Sequence, residues 1–196
     1  MIKQDALRQN LQTALLPICE SELVLKPDIK MQDLLALKTA TYVINNFITY
    51  MLTVAFLDKL FIWKFIDSSQ CKEMKNVIEQ TSVNANGFDV LYNGGLAIVA
   101  EVKGNVPCRG NRFGAQQRKS IIKDLNALKN GKSKSIKDTT GYYKFMVLLD
   151  DAKNIKDALT ALINSKHMKN LEGDVCLVED ASSISLSKIN IVLITI

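Results

Sequence analysis

Phe88-Asp89-Val90-Leu91-Tyr92-Asn93-Gly94-Gly95-Leu96-Ala97-Ile98-Val99-Ala100-Glu101-Val102-Lys103 is the stretch on which the fold turns. Phe88, Val90 and Tyr92 alternate with Asp89 and Leu91, the period of a strand. Asn93-Gly94-Gly95 is a turn signal between antiparallel strands, and Leu96 to Lys103 is the next strand. Residues two apart on a strand share a face, so Glu101 and Lys103 point to one side. Ile98, Ala100 and Val102 point to the other, into the core. Asp89 lies on the opposite side of its strand from Phe88 and Val90. Pairing across the glycine turn then lets Asp89 and Glu101 converge. Charges that close so apolar a strand are costly unless they sit at an edge or a cleft, which singles them out as functional. Paired carboxylates hold a hard divalent cation such as Mg²⁺ through oxygen. Such a cation offsets phosphate charge and acidifies a bound water, and a neighbouring lysine stabilises developing charge.

Outward from this hairpin, the chain reads as alternating helices and strands. On the N-terminal side, residues 3–16 carry Leu7, Leu11, Ala14 and Leu15 at helical spacing, and Pro17 ends that helix. Pro27-Asp28 opens a second, long helix whose apolar residues, Leu34 to Leu52, lie on more than one side, so it is expected to be buried over much of its surface. Ser68-Ser69 cap a third helix, to about Gln80. On the C-terminal side, a loop holds Gly104 to Gly110, and a helix covers Phe113 to Asn130 with Gly131 as its stop. Tyr142 to Leu149 is a buried strand, Ala152 to Asn164 a helix, and Asp174–Glu179 and Ile189–Ile196 two further strands. The fold class is α/β, a mixed sheet flanked by helices, with a helical N-terminal extension. A single domain is expected over residues 1–196, with 1–66 as the extension and 67–196 as the α/β core.

Bulk properties agree with that reading. The 196 residues suffice for one sizeable core. Net charge is +5, compatible with nucleic acid without being diagnostic of it. Cys19, Cys71, Cys108 and Cys176 form no CxxC pair, which fits a reduced, cytoplasmic chain better than disulfides or zinc. Met1 to Asp5 begin a polar, helix-like stretch, so no signal peptide is expected. The clean apolar run Phe47 to Leu57 is about half of the roughly 20 residues that span a bilayer, so a buried helix or dimer face is expected there, and no membrane.

At this point the chain resembles a known family. Its order of helix, Asp-bearing strand, Glu-x-Lys strand, Gln-bearing helix and strand is similar to the PD-(D/E)XK nuclease superfamily, best known from type II restriction endonucleases. Phe88-Asp89-Val90, Glu101-Val102-Lys103, and Gln117 with Ile121 carry the resemblance, which covers about residues 70–150. Gly87-Phe88 stands where the superfamily's proline often precedes the aspartate. The resemblance implies a restriction-endonuclease-like fold. It implies Asp89 and Glu101 as metal ligands with the Val102 carbonyl a third, Lys103 acting on the attacking water, and Gln117 supporting the site. Glu73 stands where the superfamily often adds an acidic residue, with Glu79 as competitor. The implied activity is Mg²⁺-dependent DNA endonuclease, with Mn²⁺ as a substitute ion, double-stranded DNA as partner, and a homodimer whose surface is the apolar helix. A junction-resolvase-type repair nuclease and a non-catalytic nucleic-acid-binding protein of the same fold are the alternatives.

Other signals have plainer readings. Arg109, Arg112, Arg118, Lys119 and Lys123 follow the Glu-x-Lys strand closely, where basic side chains can bind flanking phosphates. Asn111, in the same loop, has a side chain suited to base edges. Lys129, Lys132, Lys134 and Lys137 read as a flexible surface loop. Gly131-Lys132-Ser133 lacks the upstream glycine and the preceding strand of a phosphate loop, so no nucleotide cofactor is expected. His167 is the only histidine, which nearly removes histidine general-base or His-ligated metal chemistry. Trp63, Phe56, Phe61 and Phe65 suit a core or a self-association surface.

Overall fold

The computed structural model describes residues 31–80, 87–107, 111–150 and 154–195. The helix expected over residues 3–16 therefore lies outside the described residues, as do Pro17, Pro27-Asp28 and Arg109. The chain divides into two compact units, Met1–Ile44 and Asn45–Ile196. In the first, the described residues belong to helix α1, Met31–Ile62, which runs on into the second.

The second unit continues with α2 (Ser68–Gln80), β1 (Val90–Asn93), β2 (Ala97–Lys103), α3 (Ala115–Asn130), β3 (Tyr143–Leu149) and α4 (Ile155–Ile163). A 3₁₀ turn, Lys166–Leu171, leads to β4 (Val175–Val178), and Ala181–Ser183 precedes β5 (Ile189–Ile194). The five strands form one mixed sheet in the order β1-β2-β3-β5-β4. The hairpin β1–β2 is antiparallel, with Val90 opposite Ala100 and Asn93 opposite Ala97, and the other pairs are parallel. The α/β class and the element order from Ser68 onward are as the sequence reads, with ends shifted by at most three residues.

Alternation along the strands divides the core into two layers. On one face Val90, Tyr92, Ile98, Ala100, Val102, Phe145 and Val147 pack against Leu52, Phe56, Leu57 and Leu60 of α1 and Met74 of α2. On the other, Val99, Met146, Leu148, Ile189 and Ile191 pack against Ile121, Leu125 and Leu128 of α3 and against α4. Helices thus cover both faces, the arrangement that parallel strands require. Asn190 is the one fully buried polar residue of β5. Its amide donates to Lys144 O (3.1 Å) and Ser185 O (2.9 Å) and its Oδ1 accepts from Ser185 N (2.8 Å), so the site is satisfied.

Three expectations are corrected. Leu52 to Leu60 of α1, expected within the helical extension, pack in the core of the sheet. Helix α1 is not buried over much of its surface: Met31, Leu34, Leu35, Val43, Ile44 and Phe47 are exposed, and burial begins at Leu52. Its apolar character also extends well upstream of Phe47, and by length and composition alone α1 is long enough to cross a membrane. Finally, Phe88 and Val90 do not share a face. Strand β1 starts only at Val90, so Phe88 packs in the α3 layer while Val90 packs in the α1 layer.

Gly131 ends α3 at a φ of 83°, with its amide donating to Ala127 O at 2.8 Å. A Cβ there would lie 2.5 Å from the Ile136 carbonyl oxygen, so both backbone conformation and space demand glycine. Gly131→Ala is expected to lower unfolding free energy by about 1–3 kcal/mol. Urea unfolding of the two proteins measures it, and equal midpoints would contradict the assignment.

Candidate functional site

At the carboxyl end of β2 two buried carboxylates, Glu101 and Asp124, lie among the more accessible Asp89, Lys103 and Lys132. In parallel sheets this end of a strand is where ligands bind. Here the backbone ladder of the β1–β2 hairpin gives way to a side chain. Asp89, one residue before β1, accepts the Val102 amide on Oδ2 at 2.7 Å. Continuing the register of Val90 opposite Ala100 sets Asp89 across from Glu101. Asp89 is near enough for its charge to bear on the Glu101 carboxyl, while Val102 turns into the α1 layer.

Glu101 is only 4% exposed. Its Oε1 is paired with the ammonium of Lys132, which lies just beyond the end of α3. Lys132 Nζ also donates to Gly87 O at 2.6 Å and sits 4.8 Å from the Phe88 ring centre. Lys103, two residues along β2, is paired with Asp124 at 2.7 Å. Asp124 is buried on the inner row of α3 between Ile121 and Leu128. The cluster thus holds three carboxyl groups and two ammonium groups.

These surroundings tune each group. Burial pushes the Glu101 carboxyl up to about 7, opposed by the bond to Lys132 and reinforced by Asp89. Loss of water raises Asp89 above the ordinary carboxylate value, with the Val102 amide and Lys103 pulling the other way. For Lys103, burial alone would lower the pKa. The bond to Asp124, with the charges of Asp124, Asp89 and Glu101, outweighs it, so the ammonium is held above its usual value. Lys103 is therefore a fixed cation and a hydrogen-bond donor, not a base. Asp89 opens onto a cavity of about 330 Å³ lined by Phe88, Leu91, Met74, Lys134 and Ser135, so the cluster has an approach from solvent.

Among the described residues no group of three His, Cys, Asp or Glu stands ready to hold a metal ion. The donors that suit one are Asp89 and Glu101. Two carboxylates completed by water are a sufficient protein contribution for Mg²⁺, which keeps most of its hydration.

The remaining candidates divide. Gln117 caps α3, its Oε1 accepting the Gly114 amide at 2.9 Å, and its Nε2 donates to Val106 O at 2.8 Å. It fastens the loop after β2 to the helix and so supports the site through the backbone. Glu73 accepts from the Tyr92 hydroxyl at 2.8 Å, on the face of β1 that packs toward α1, so it does not join Asp89 and Glu101. Glu79 is exposed near the end of α2. Asn111 is tied to Asp157 at 2.6 Å, and Arg118 donates to Phe113 O at 2.9 Å. Arg112 and Arg118 line a separate cavity of about 230 Å³ with His167. Lys119 and Lys123 are exposed on α3.

Two members of the cluster escaped the sequence reading. Asp124 had a signal, a carboxylate at a core position of an amphipathic helix. Lys132 had none in its neighbourhood. It read as part of a flexible surface loop, and only the tertiary path beyond α3 brings it to Glu101.

Comparison with protein-family models, curated proteins and solved structures returns no match.

The Glu101 shift has a consequence for stability. Between about 4.5 and 7 the folded protein retains a proton that the unfolded chain has released, so stability falls as pH rises through that window. The slope due to Glu101 is at most about 1.4 kcal/mol per pH unit. Glu101→Gln, which imitates the protonated form, is expected to flatten the fall. Urea midpoints at a series of pH values from 5 to 8 measure it, and parallel curves for the two proteins would contradict the shift.

Proposed function

We propose that the protein is a Mg²⁺-dependent DNA endonuclease of the restriction-endonuclease-like fold, with type II restriction as the preferred subclass. The observation that carries this reading is the Asp89 carboxylate on the Val102 amide, between Glu101 and Lys103 at the carboxyl end of β2. The order of α2, β1, β2, α3 and β3 also supports it, because the superfamily described above shares that succession of helix, two functional strands, helix and strand.

Asp89 and Glu101, with the Val102 carbonyl, are the groups that would hold the ion. When bound, Mg²⁺ supplies an acidified water and offsets phosphate charge. Lys103, kept protonated by Asp124, donates toward the oxygens that gain charge during attack on phosphorus. Asp124 acts through Lys103, as a positioning residue. Gln117 holds the loop after β2 against α3 and so fixes the cleft wall. Lys119, Lys123 and Arg112 are exposed cations available to flanking phosphates. Cutting a palindromic site calls for a homodimer, and the exposed apolar residues of α1 are the surface we assign to it.

A second reading has its own support. The pairs Lys132–Glu101 and Lys103–Asp124 leave each lysine matched to a carboxylate, as a purely structural charge cluster would. That suits a non-catalytic nucleic-acid-binding protein of the same fold. Plasmid cleavage separates the two. The wild type is expected to cut unmethylated plasmid only with Mg²⁺, and Asp89→Asn and Lys103→Met are expected to lose at least about 100-fold in rate while remaining folded. Discrete fragments would indicate sequence recognition, and a smear a structure-reading nuclease. No cleavage by wild type, or undiminished cleavage by both folded variants, would overturn the catalytic reading.

A further inference from the structure

Lys132 occupies an unusual place. Its ammonium reaches the buried Glu101 carboxylate, the Gly87 carbonyl and the Phe88 ring together, three partners from two chain segments that flank Asp89. The backbone that carries it is fastened. Gly131 N bonds Ala127 O, Lys132 N bonds Ile136 O at 2.6 Å, and the buried Thr139 hydroxyl bonds Leu128 O at 2.7 Å and Lys129 O at 3.0 Å. Only the side chain, with its four methylenes, is left to move.

A buried carboxylate needs a counter-charge. Lys132 supplies one at Glu101, the carboxylate that a divalent ion shared with Asp89 would also seek. Two cations held at one partly buried carboxylate repel each other strongly. We propose that Lys132 is a tethered cation that holds the Glu101 carboxylate before metal arrives, and that a divalent ion binds by exchanging with it. This rests on the reading of Asp89 and Glu101 as metal ligands given above. The exchange keeps Glu101 oriented in the absence of metal and lowers metal affinity, because each binding event must release the lysine. The released ammonium then lies beside the cleft at Asp89, where a phosphate oxygen of the substrate is a ready partner.

Calorimetric titration of the full chain with Mn²⁺ tests it, using wild type, Lys132→Met, Lys132→Arg and Glu101→Gln. Removing the competing charge is expected to lower the dissociation constant of Lys132→Met by about tenfold or more. Lys132→Arg, which keeps the charge, is expected to stay near wild type, and Glu101→Gln to lose the site. Should Lys132→Met fail to fold, Lys132→Gln retains a donor for the Gly87 carbonyl and gives the same comparison. Wild-type binding with equal or weaker affinity in the folded neutral variant would overturn the exchange and leave the proposed function standing. No Mn²⁺ binding by wild type or neutral variant would overturn both.

Discussion

A carboxylate placed where water barely reaches must be matched by something positive, and Glu101 is that carboxylate. It stands on a central strand with apolar neighbours on both sides, and only a lysine from beyond the next helix keeps its charge tolerable. The same condition governs the rest of the cluster. Burial pulls the Lys103 pKa down and the bond to Asp124 holds it up, and Asp89 is held against the Val102 amide. Replacing these groups by apolar side chains of similar volume would generally cost little or even stabilise a fold. Their combination at one strand end is thus explained more readily by chemistry than by stability.

The architecture serves that end of β2. Antiparallel pairing with β1 brings Asp89 alongside Glu101, and parallel pairing with β3 forces a crossover helix, which delivers Asp124 from the face above. The glycine that stops α3 turns the chain back so that the next residue reaches the same place. On the opposite face the second half of α1 supplies the core against which the strands lie flat. One helix, one hairpin and one helix end suffice to assemble five charged side chains.

Much of this was legible in the chain itself. The change from helical to alternating period after Gln80, the Asn93-Gly94-Gly95 turn and the Gly131 stop define local events, and local chemistry specifies them. The pairing of β1 with β2 follows once that turn is placed. Lys132 was not legible, because its role depends on a reach across more than thirty residues of chain. Glu73 was misplaced for a related reason: its helix was correctly located, but which sheet face it covers is a tertiary choice. The long apolar helix misled in another way. Apolar content on all sides suggested burial, whereas its first turns present that surface outward.

The central claim is that Asp89 and Glu101 are two ligands of one divalent cation. Anomalous diffraction from crystals soaked in Mn²⁺ addresses it directly. The account predicts a manganese peak between the two carboxylates with the Lys132 ammonium withdrawn from Glu101. Ordered crystals at high Mn²⁺ with no peak there, and Lys132 still seated on Glu101, would contradict it.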